Sequence, residues 1–78
     1  MLPAKTSYKW KELIQGNIDY KFKSVPAGLI ISRVSRSLKN DNSDENINKC
    51  LDEVYNFFYK YQRIFQDDIT AIFGEGAK

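Results

Sequence analysis

The fold of this chain is decided by one stretch in its C-terminal half, residues 47–65, which reads INKCLDEVYNFFYKYQRIF. Six apolar or aromatic residues in it follow one another at intervals of four and three: Ile47, Leu51, Val54, Phe58, Tyr61 and Phe65. This spacing places side chains on one face of an α-helix. Three more residues widen that face beyond the narrow seam of a two-stranded coiled coil: Cys50, Phe57 and Ile64. The stretch is therefore predicted to be a helix buried in a helical bundle.

This third helix of the chain is predicted to span 43–66. A polar turn, 39–44, precedes it, and Asn42 followed three residues later by Glu45 resembles a capping box. In that motif a side chain at the cap accepts a hydrogen bond from the first helical turn, and acidic residues there favour the positive end of the helix dipole.

The end of the third helix is interrupted by charge. Asp68 stands where the heptad pattern requires an apolar residue, which favours a break near 66–68. Asp67 can then cap a short fourth helix at 68–73. The alternative is that the third helix continues, because three later residues prolong the same apolar face: Ile69, Ile72 and Phe73.

A short first helix is predicted over 7–15. Thr6 or Ser7 is its candidate N-cap, and Gly16 is its stop, because glycine tolerates the left-handed conformation of a C-terminal cap. Three apolar residues share one face: Trp10, Leu13 and Ile14. A helix this short is stable only if Trp10 is buried against the rest of the chain.

The second helix is predicted over 26–39. It begins at Pro26, since proline is tolerated in the first turn, with Ser24 or Val25 as the cap. Five residues at helical spacing form its apolar face: Ala27, Ile30, Ile31, Val34 and Leu38. The opposite face is polar and basic: Ser32, Arg33, Arg36 and Lys39.

Between these helices, residues 18–23 alternate between apolar and charged side chains. Period two is a strand signal, but no second segment alternates in the same way, and a lone strand has nothing to pair with. The segment is predicted to be an extended connector that packs its aromatic rings on the helices. A short helical continuation and a strand paired with another molecule are the alternatives.

The 78 residues are enough for one small domain, 1–78, with loose ends at 1–6 and 74–78. A hydrophobic content of 42% and a charged content of 28% argue against intrinsic disorder. No apolar run approaches the roughly 18 residues of a membrane helix, and the N-terminus lacks a signal-peptide core. We therefore predict a cytoplasmic all-α protein, a small three-helix bundle with a short fourth helix as the variant.

Residues that carry out catalysis or bind cofactors are scarce. The chain has no histidine and a single cysteine, Cys50, which argues against disulfides and the usual zinc sites. Cys50 lies in the apolar face of the third helix and is predicted to be an inert core thiol. Adjacent carboxylates occur, but neighbours on a helix point about 100° apart and do not share a substrate. We predict that the protein is not an enzyme and needs no metal or cofactor.

Basic and acidic residues are unevenly distributed. Residues 1–40 hold eight basic and two acidic side chains, a net charge of +6, whereas residues 41–78 hold four basic and eight acidic ones, a net charge of −4. Complementary halves that fold on each other are the favoured interpretation. The alternative is a basic face of the second helix that binds nucleic acid through Arg33, Arg36 and Lys39.

Two surfaces are candidates for binding another protein, the function that the lack of catalytic residues favours. Leu29 lies within the basic face of the second helix, one turn before Arg33 and two turns before Arg36. Tyr55 and Tyr59 lie one turn apart at the edge of the apolar face of the third helix. Because that face is large for so short a chain, a homodimer through the third helix is a further candidate.

One segment of the second helix, Pro26–Leu38, reads PAGLIISRVSRSL. It resembles a helix of the small bacteriocin immunity proteins of lactic acid bacteria, in which a proline-led, Leu-Ile-rich turn precedes an arginine and an aliphatic residue, here Arg33 and Val34. The resemblance implies a helical, non-enzymatic protein that protects the cell from inside, by acting on the complex of a bacteriocin with a sugar-transporter receptor. The acidic loop and the aromatic-rich third helix depart from the family's pattern. The expected function is thus protein binding of the immunity or inhibitor kind, as in small bacterial and phage proteins.

Overall fold

Four helices make up most of residues 2–74, the part of the chain that the computed structural model describes. They are α1 (Tyr8–Ile14), α2 (Val25–Asn40), α3 (Asp44–Lys60) and α4 (Gln66–Phe73). No strand occurs within that range, so the predicted all-α class is confirmed. The bounds of α1 and α2 differ from the predicted ones by one residue at each end.

The long helices α2 and α3 form an antiparallel pair, because a turn of only three residues, 41–43, joins them. Side-chain hydrogen bonds between the two helices agree with the antiparallel arrangement. Asn46, early in α3, donates to Ser37 Oγ, late in α2 (3.2 Å). Further along, Arg33 of α2 donates to Glu53 in the middle of α3.

The short helix α1 packs across this pair through Trp10. The indole is fully buried, and its ring lies 5.5 Å from those of Tyr55 and Phe58 on α3, edge to face in both cases. Its Nε1 donates to the carbonyl oxygen of Pro3 (3.2 Å), which attaches the segment before α1 to the bundle. Gly16, with a φ of 77°, follows the end of the helix as predicted. Burial of Trp10 thus supplies the stability that an isolated seven-residue helix lacks.

The core is one hydrophobic cluster that includes residues of all four helices. Most residues of the predicted apolar faces are buried, among them Trp10, Ile31, Val34, Val54, Phe58 and Phe65. Leu51 and Tyr61 are half-buried at its edge. Cys50 is buried as predicted, whereas Ile64 is 64% exposed, because it lies in a turn and not on a helix face.

The prediction that the third helix extends to residue 66 is wrong, because α3 ends at Lys60. A turn over 61–65 follows, in which Ile64 N and Phe65 N both donate to the carbonyl oxygen of Tyr61. A helix that continued without a turn would carry Phe65 about 10 Å along the axis from Phe58, seven residues earlier, and out of contact with it. The turn brings the ring of Phe65 back to within 5.0 Å of Phe58, and α4 starts immediately afterwards.

Two predicted caps are also wrong. Ser43, not Asn42, is the N-cap of α3, and its Oγ accepts a hydrogen bond from Asn46 N (3.3 Å). Phe65, not Asp67, occupies the N-cap position of α4, which has no side-chain cap. Both helices still carry two acidic residues in the first turn, where the helix dipole favours negative charge.

The connector between α1 and α2 is extended, and its aromatic rings pack on the helices, as predicted. The ring of Phe22 lies 6.3 Å from that of Phe58 and 5.1 Å from that of Tyr20. The first five residues described, 2–6, contain no helix, and Leu2 packs against the core. Met1 and most of the predicted loose end at 74–78 lie outside the described residues.

Asp68 attaches the connector to α4. Its carboxylate is 1% exposed and accepts hydrogen bonds from Tyr20 Oη (2.6 Å), Lys23 N (2.8 Å) and Ser24 N (3.1 Å). The predicted break between two helices and the fourth helix are confirmed, and Asp68 lies in the first turn of α4. The expectation that such a carboxylate lies on a solvated face is wrong for Asp68. A buried carboxylate is tolerated here because three donors replace the water that it loses. Since Ser24 is the N-cap residue of α2, Asp68 also fixes the point where that helix starts.

None of the helices in residues 2–74 combines the length and the apolar character that crossing a bilayer requires. Two ion pairs occur in the same range, Lys5–Asp52 and Arg33–Glu53. Each joins a basic residue of the first half to an acidic residue of the second, as predicted for complementary halves.

Candidate functional site

A groove runs along one side of the α2–α3 pair. Each helix lines it with four residues at positions i, i+3, i+4 and i+7: Pro26, Leu29, Ile30 and Arg33 from α2, and Glu53, Asn56, Phe57 and Lys60 from α3. This spacing is one helix face over two turns, so the groove is about 10 Å long. Because the helices are antiparallel, Arg33 lies near Glu53 at one end, and Pro26 and Lys60 lie toward the other. We call this feature the α2–α3 groove.

Other parts of the chain pack on the opposite side of the pair. Ser35 lies about 180° around α2 from Pro26, and its Oγ donates to the carbonyl oxygen of Ile14 in α1 (2.8 Å). Phe22 of the connector approaches α2 at Gly28, where an added Cβ would lie 3.5 Å from the Phe22 Cβ. Within residues 2–74 the groove is therefore lined by α2 and α3 alone.

The floor of the groove is apolar. Ile30 is buried, and Phe57 is half-buried with its ring 5.1 Å from that of Tyr61 and 5.4 Å from that of Phe65. Leu29 stands at the edge and is 66% exposed. A leucine this exposed contributes little to the core, whereas it can add apolar contact to anything that enters the groove.

One end of the groove is bridged by the ion pair between Arg33 and Glu53. A terminal guanidinium nitrogen of Arg33 donates to a carboxylate oxygen of Glu53, and this hydrogen bond raises the pKa of Arg33. Both side chains are exposed, so the pair contributes only about 0–1 kcal/mol to stability. The pair instead holds the guanidinium of Arg33 in one orientation. Glu53 accepts from one nitrogen, and a guanidinium carries five N–H donors, so the others remain to bind an anionic group.

The other end of the groove carries Lys60. Its Nζ lies 5.4 Å from the centre of the Tyr61 ring, and none of the ion pairs within residues 2–74 involves it. Helix α2 adds three basic residues and contains no acidic one. The groove therefore has an apolar floor with a cation at each end, on opposite helices.

The structure separates the two predicted contact surfaces. Leu29 and Arg33 line the groove together, and Arg36 is exposed one turn beyond Arg33 on the outer side of α2. Tyr55 is two residues after Glu53 and hence about 200° around α3 from it. The tyrosine surface therefore lies on the other side of α3 from the groove.

On that other side, Tyr55 and Tyr59 stack with ring centres 6.2 Å apart, and Tyr59 is 60% exposed. Tyr55 is half-buried against Trp10, which gives it a structural role at the edge of the core. Only Tyr59 of this pair is largely available to solvent.

The residues predicted for nucleic-acid binding lie along α2. Arg36 and Lys39 are exposed, whereas Arg33 is held by a carboxylate. Glu53 beside the basic face repels a phosphate backbone, since a polyanion gains affinity from every cation and loses it at every acid.

Sequence reasoning missed the α3 half of the groove. The sequence predicts Phe57 for the buried face of the third helix and assigns no partner contact to Glu53, Asn56 or Lys60. These four residues repeat the i, i+3, i+4, i+7 spacing of Pro26, Leu29, Ile30 and Arg33, and this shared spacing is the signal that was available. It becomes informative only once α2 is known to lie antiparallel beside α3.

Other reactive groups are enclosed or dispersed. Burial raises the pKa of the Cys50 thiol, which keeps it protonated and unreactive near neutral pH. Within residues 2–74 there is no group of three or more side chains placed to hold a metal ion.

No protein-family model, curated protein or solved structure matches this chain. The resemblance of Pro26–Leu38 to bacteriocin immunity proteins stays a prediction, and the residues on which it depends lie on α2.

Proposed function

We propose that this chain is a non-enzymatic module that binds another protein through the α2–α3 groove. The single observation behind the proposal is the exposed Leu29 beside the half-buried Phe57, in a groove lined by two helices and rimmed by charge. Protein interfaces combine an apolar centre with a polar rim and a few anchoring contacts in this way.

Protection of the cell is the form of binding that we favour. The segment that resembles the immunity proteins supplies Leu29 and Arg33, and both line the groove. A protein of the immunity or inhibitor kind acts by occupying its target, so it needs a recognition surface and no catalytic group.

Affinity capture with two matched variants tests the proposal. The bait is the full chain immobilised on resin, and the prey is a lysate of cells that carry its gene. Leu29→Glu places a charge at the groove, while Tyr59→Glu makes the same kind of change on the other side of α3. Both residues are exposed, so both variants should keep the circular dichroism spectrum and melting temperature of the parent.

We expect the parent and Tyr59→Glu to retain the same proteins and Leu29→Glu to lose them. Loss with Tyr59→Glu alone would move the binding site to the tyrosine surface. Retention by all three would refute the groove. A gel shift of random duplex DNA that weakens steeply with salt would instead favour nucleic-acid binding through Arg36 and Lys39.

A further inference from the structure

We propose that the occupant of the α2–α3 groove is an amphipathic α-helix of the partner protein, with acidic side chains flanking its apolar face. This inference rests on the proposed function and adds the chemistry of the partner. It follows from the shape of the groove, from the placement of its charges and from the symmetry that a second copy would impose.

The shape of the groove fits a helix. Two parallel rows of residues, each spaced i, i+3, i+4 and i+7, form the walls over about two turns, and side chains of a third helix interdigitate with such rows. Helix α1 already packs against both α2 and α3 elsewhere on the pair. A partner helix in the groove would complete a bundle around the pair, which is the helix-in-groove mode of recognition.

The charges of the groove favour carboxylates on that helix. Arg33, on α2, keeps N–H donors beyond the one that Glu53 accepts from, and Lys60, on α3, stands at the other end. Glu53 is the only acid among the residues that line the groove, and it is already hydrogen-bonded. The lining residues therefore carry a net charge of +1, with spare N–H donors at the neutral Arg33–Glu53 end and a full positive charge at Lys60.

This placement predicts the pattern of the partner. Its apolar face should contact Leu29 and Phe57, and its carboxylates should stand on opposite flanks of that face. Residues on opposite flanks are about five or nine positions apart, because residues seven apart share one flank. A carboxylate at one flank would bind the guanidinium of Arg33, which Glu53 holds in place, and one at the other flank would bind the ammonium of Lys60.

A second copy of the chain fits the charges less well. In a two-fold dimer the same surface supplies both sides, so a groove of net charge +1 beside the basic outer side of α2 would face a surface of the same net sign. Like charges facing each other across an interface oppose association. A heterologous acidic helix avoids this repulsion.

The test is a selection from a displayed library of 18-residue helices. The library keeps leucines at i, i+3, i+4 and i+7 and randomises the flanking positions among acidic, basic and neutral polar residues. The full chain is the target. We expect the retained sequences to be enriched in Asp and Glu on both flanks of the leucine face, at positions about five or nine residues apart.

A synthetic peptide of the best retained sequence then serves as the probe in fluorescence anisotropy. We expect Leu29→Glu to weaken its binding by about thirtyfold or more and Lys60→Glu by about tenfold. The matched control is Lys11→Glu, which makes the same charge change at an exposed position of α1 and should leave the affinity unchanged. A peptide with Lys in place of its acidic residues should prefer the Lys60→Glu chain.

Other outcomes separate this inference from the proposed function. Retained peptides that depend on Leu29 but show no acidic preference would overturn the acidic helix and leave the groove as the binding site. A failure to retain any peptide that depends on Leu29 would overturn both. Sedimentation that shows a dimer in the parent and a monomer in Leu29→Glu would assign the groove to a second copy and so refute the inference.

Discussion

The two sides of the α2–α3 pair are both apolar, but only one of them is closed. On the closed side, Phe58 is fully buried among the rings of Trp10, Phe22 and Phe65. On the groove side, Phe57, the preceding residue in the chain, is half-buried beside exposed Leu29. The difference shows that apolar character alone does not separate a core from a recognition surface. What separates them is where the other described elements pack, since α1 and the connector lie against the closed side.

The closed side should dominate stability, and Phe58→Ala is the sharpest way to test this. Removing a fully buried ring should cost about 3–5 kcal/mol, which is most of the stability of a domain this small. We expect the variant to be largely unfolded by circular dichroism at room temperature. A melting temperature within a degree or two of the parent's would mean that Phe58 does not support the core.

Asp68 should have the next largest effect, because it holds the connector on the closed side. Asp68→Ala leaves the N–H groups of Lys23 and Ser24 and the hydroxyl of Tyr20 without their acceptor, at an expected cost of about 2–4 kcal/mol in urea unfolding. Asp68→Asn keeps an acceptor oxygen and should lose less. Equal stability of the alanine variant and the parent would show that the connector is held by its aromatic rings alone.

The hydrogen bond between Tyr20 and Asp68 should also make the closed side sensitive to alkali. Burial, with the bond to Asp68, raises the pKa of Tyr20 from 10.0 to about 12. A phenol whose pKa is higher in the folded state stabilises the fold fully below its unfolded pKa. This contribution should therefore persist up to pH 10 and be lost between pH 10 and about 12.

Urea unfolding of the parent and of Tyr20→Phe over this pH range measures the effect. The stability difference between the two chains should shrink as the pH rises from 10 to about 12. A difference that stays constant over that interval would contradict the raised pKa.

The groove side should contribute least to stability. Arg33→Glu combined with Arg36→Glu removes an exposed ion pair, so we expect a loss of no more than about 1 kcal/mol by thermal melting. The same double variant should abolish capture of the protein partner. A large loss of stability would show that the Arg33–Glu53 pair supports the fold and is not chiefly part of a recognition surface.

Some helix positions and buried residues could be predicted from the sequence, and others could not. The spacing around Trp10 and Val34 predicted their helices and their burial, because helical periodicity is a local property. The end of α3 was not predictable in the same way, since Tyr61 and Phe65 keep the heptad spacing after the helix has stopped. Their rings pack on the core from a turn, and the pattern of apolar residues does not distinguish the two arrangements.

The residues of the candidate site can also be divided into those that the sequence pattern reveals and those that it does not. Leu29 and Arg33 could be found as an anomaly of one helix, an exposed leucine within a basic face. Their neighbours Glu53, Phe57 and Lys60 could not, because they join the site through the pairing of helices about twenty to thirty residues apart in the sequence.

By itself, the sequence determined the helical class, the places of the first two helices, most of the core and the complementary charges of the two halves, since these follow from composition and from local periodicity. The tertiary structure alone decided where α3 stops, that Asp68 is buried under three donors, and which apolar face stays open. Each of these depends on which distant groups come within contact distance, and local spacing carries no such information.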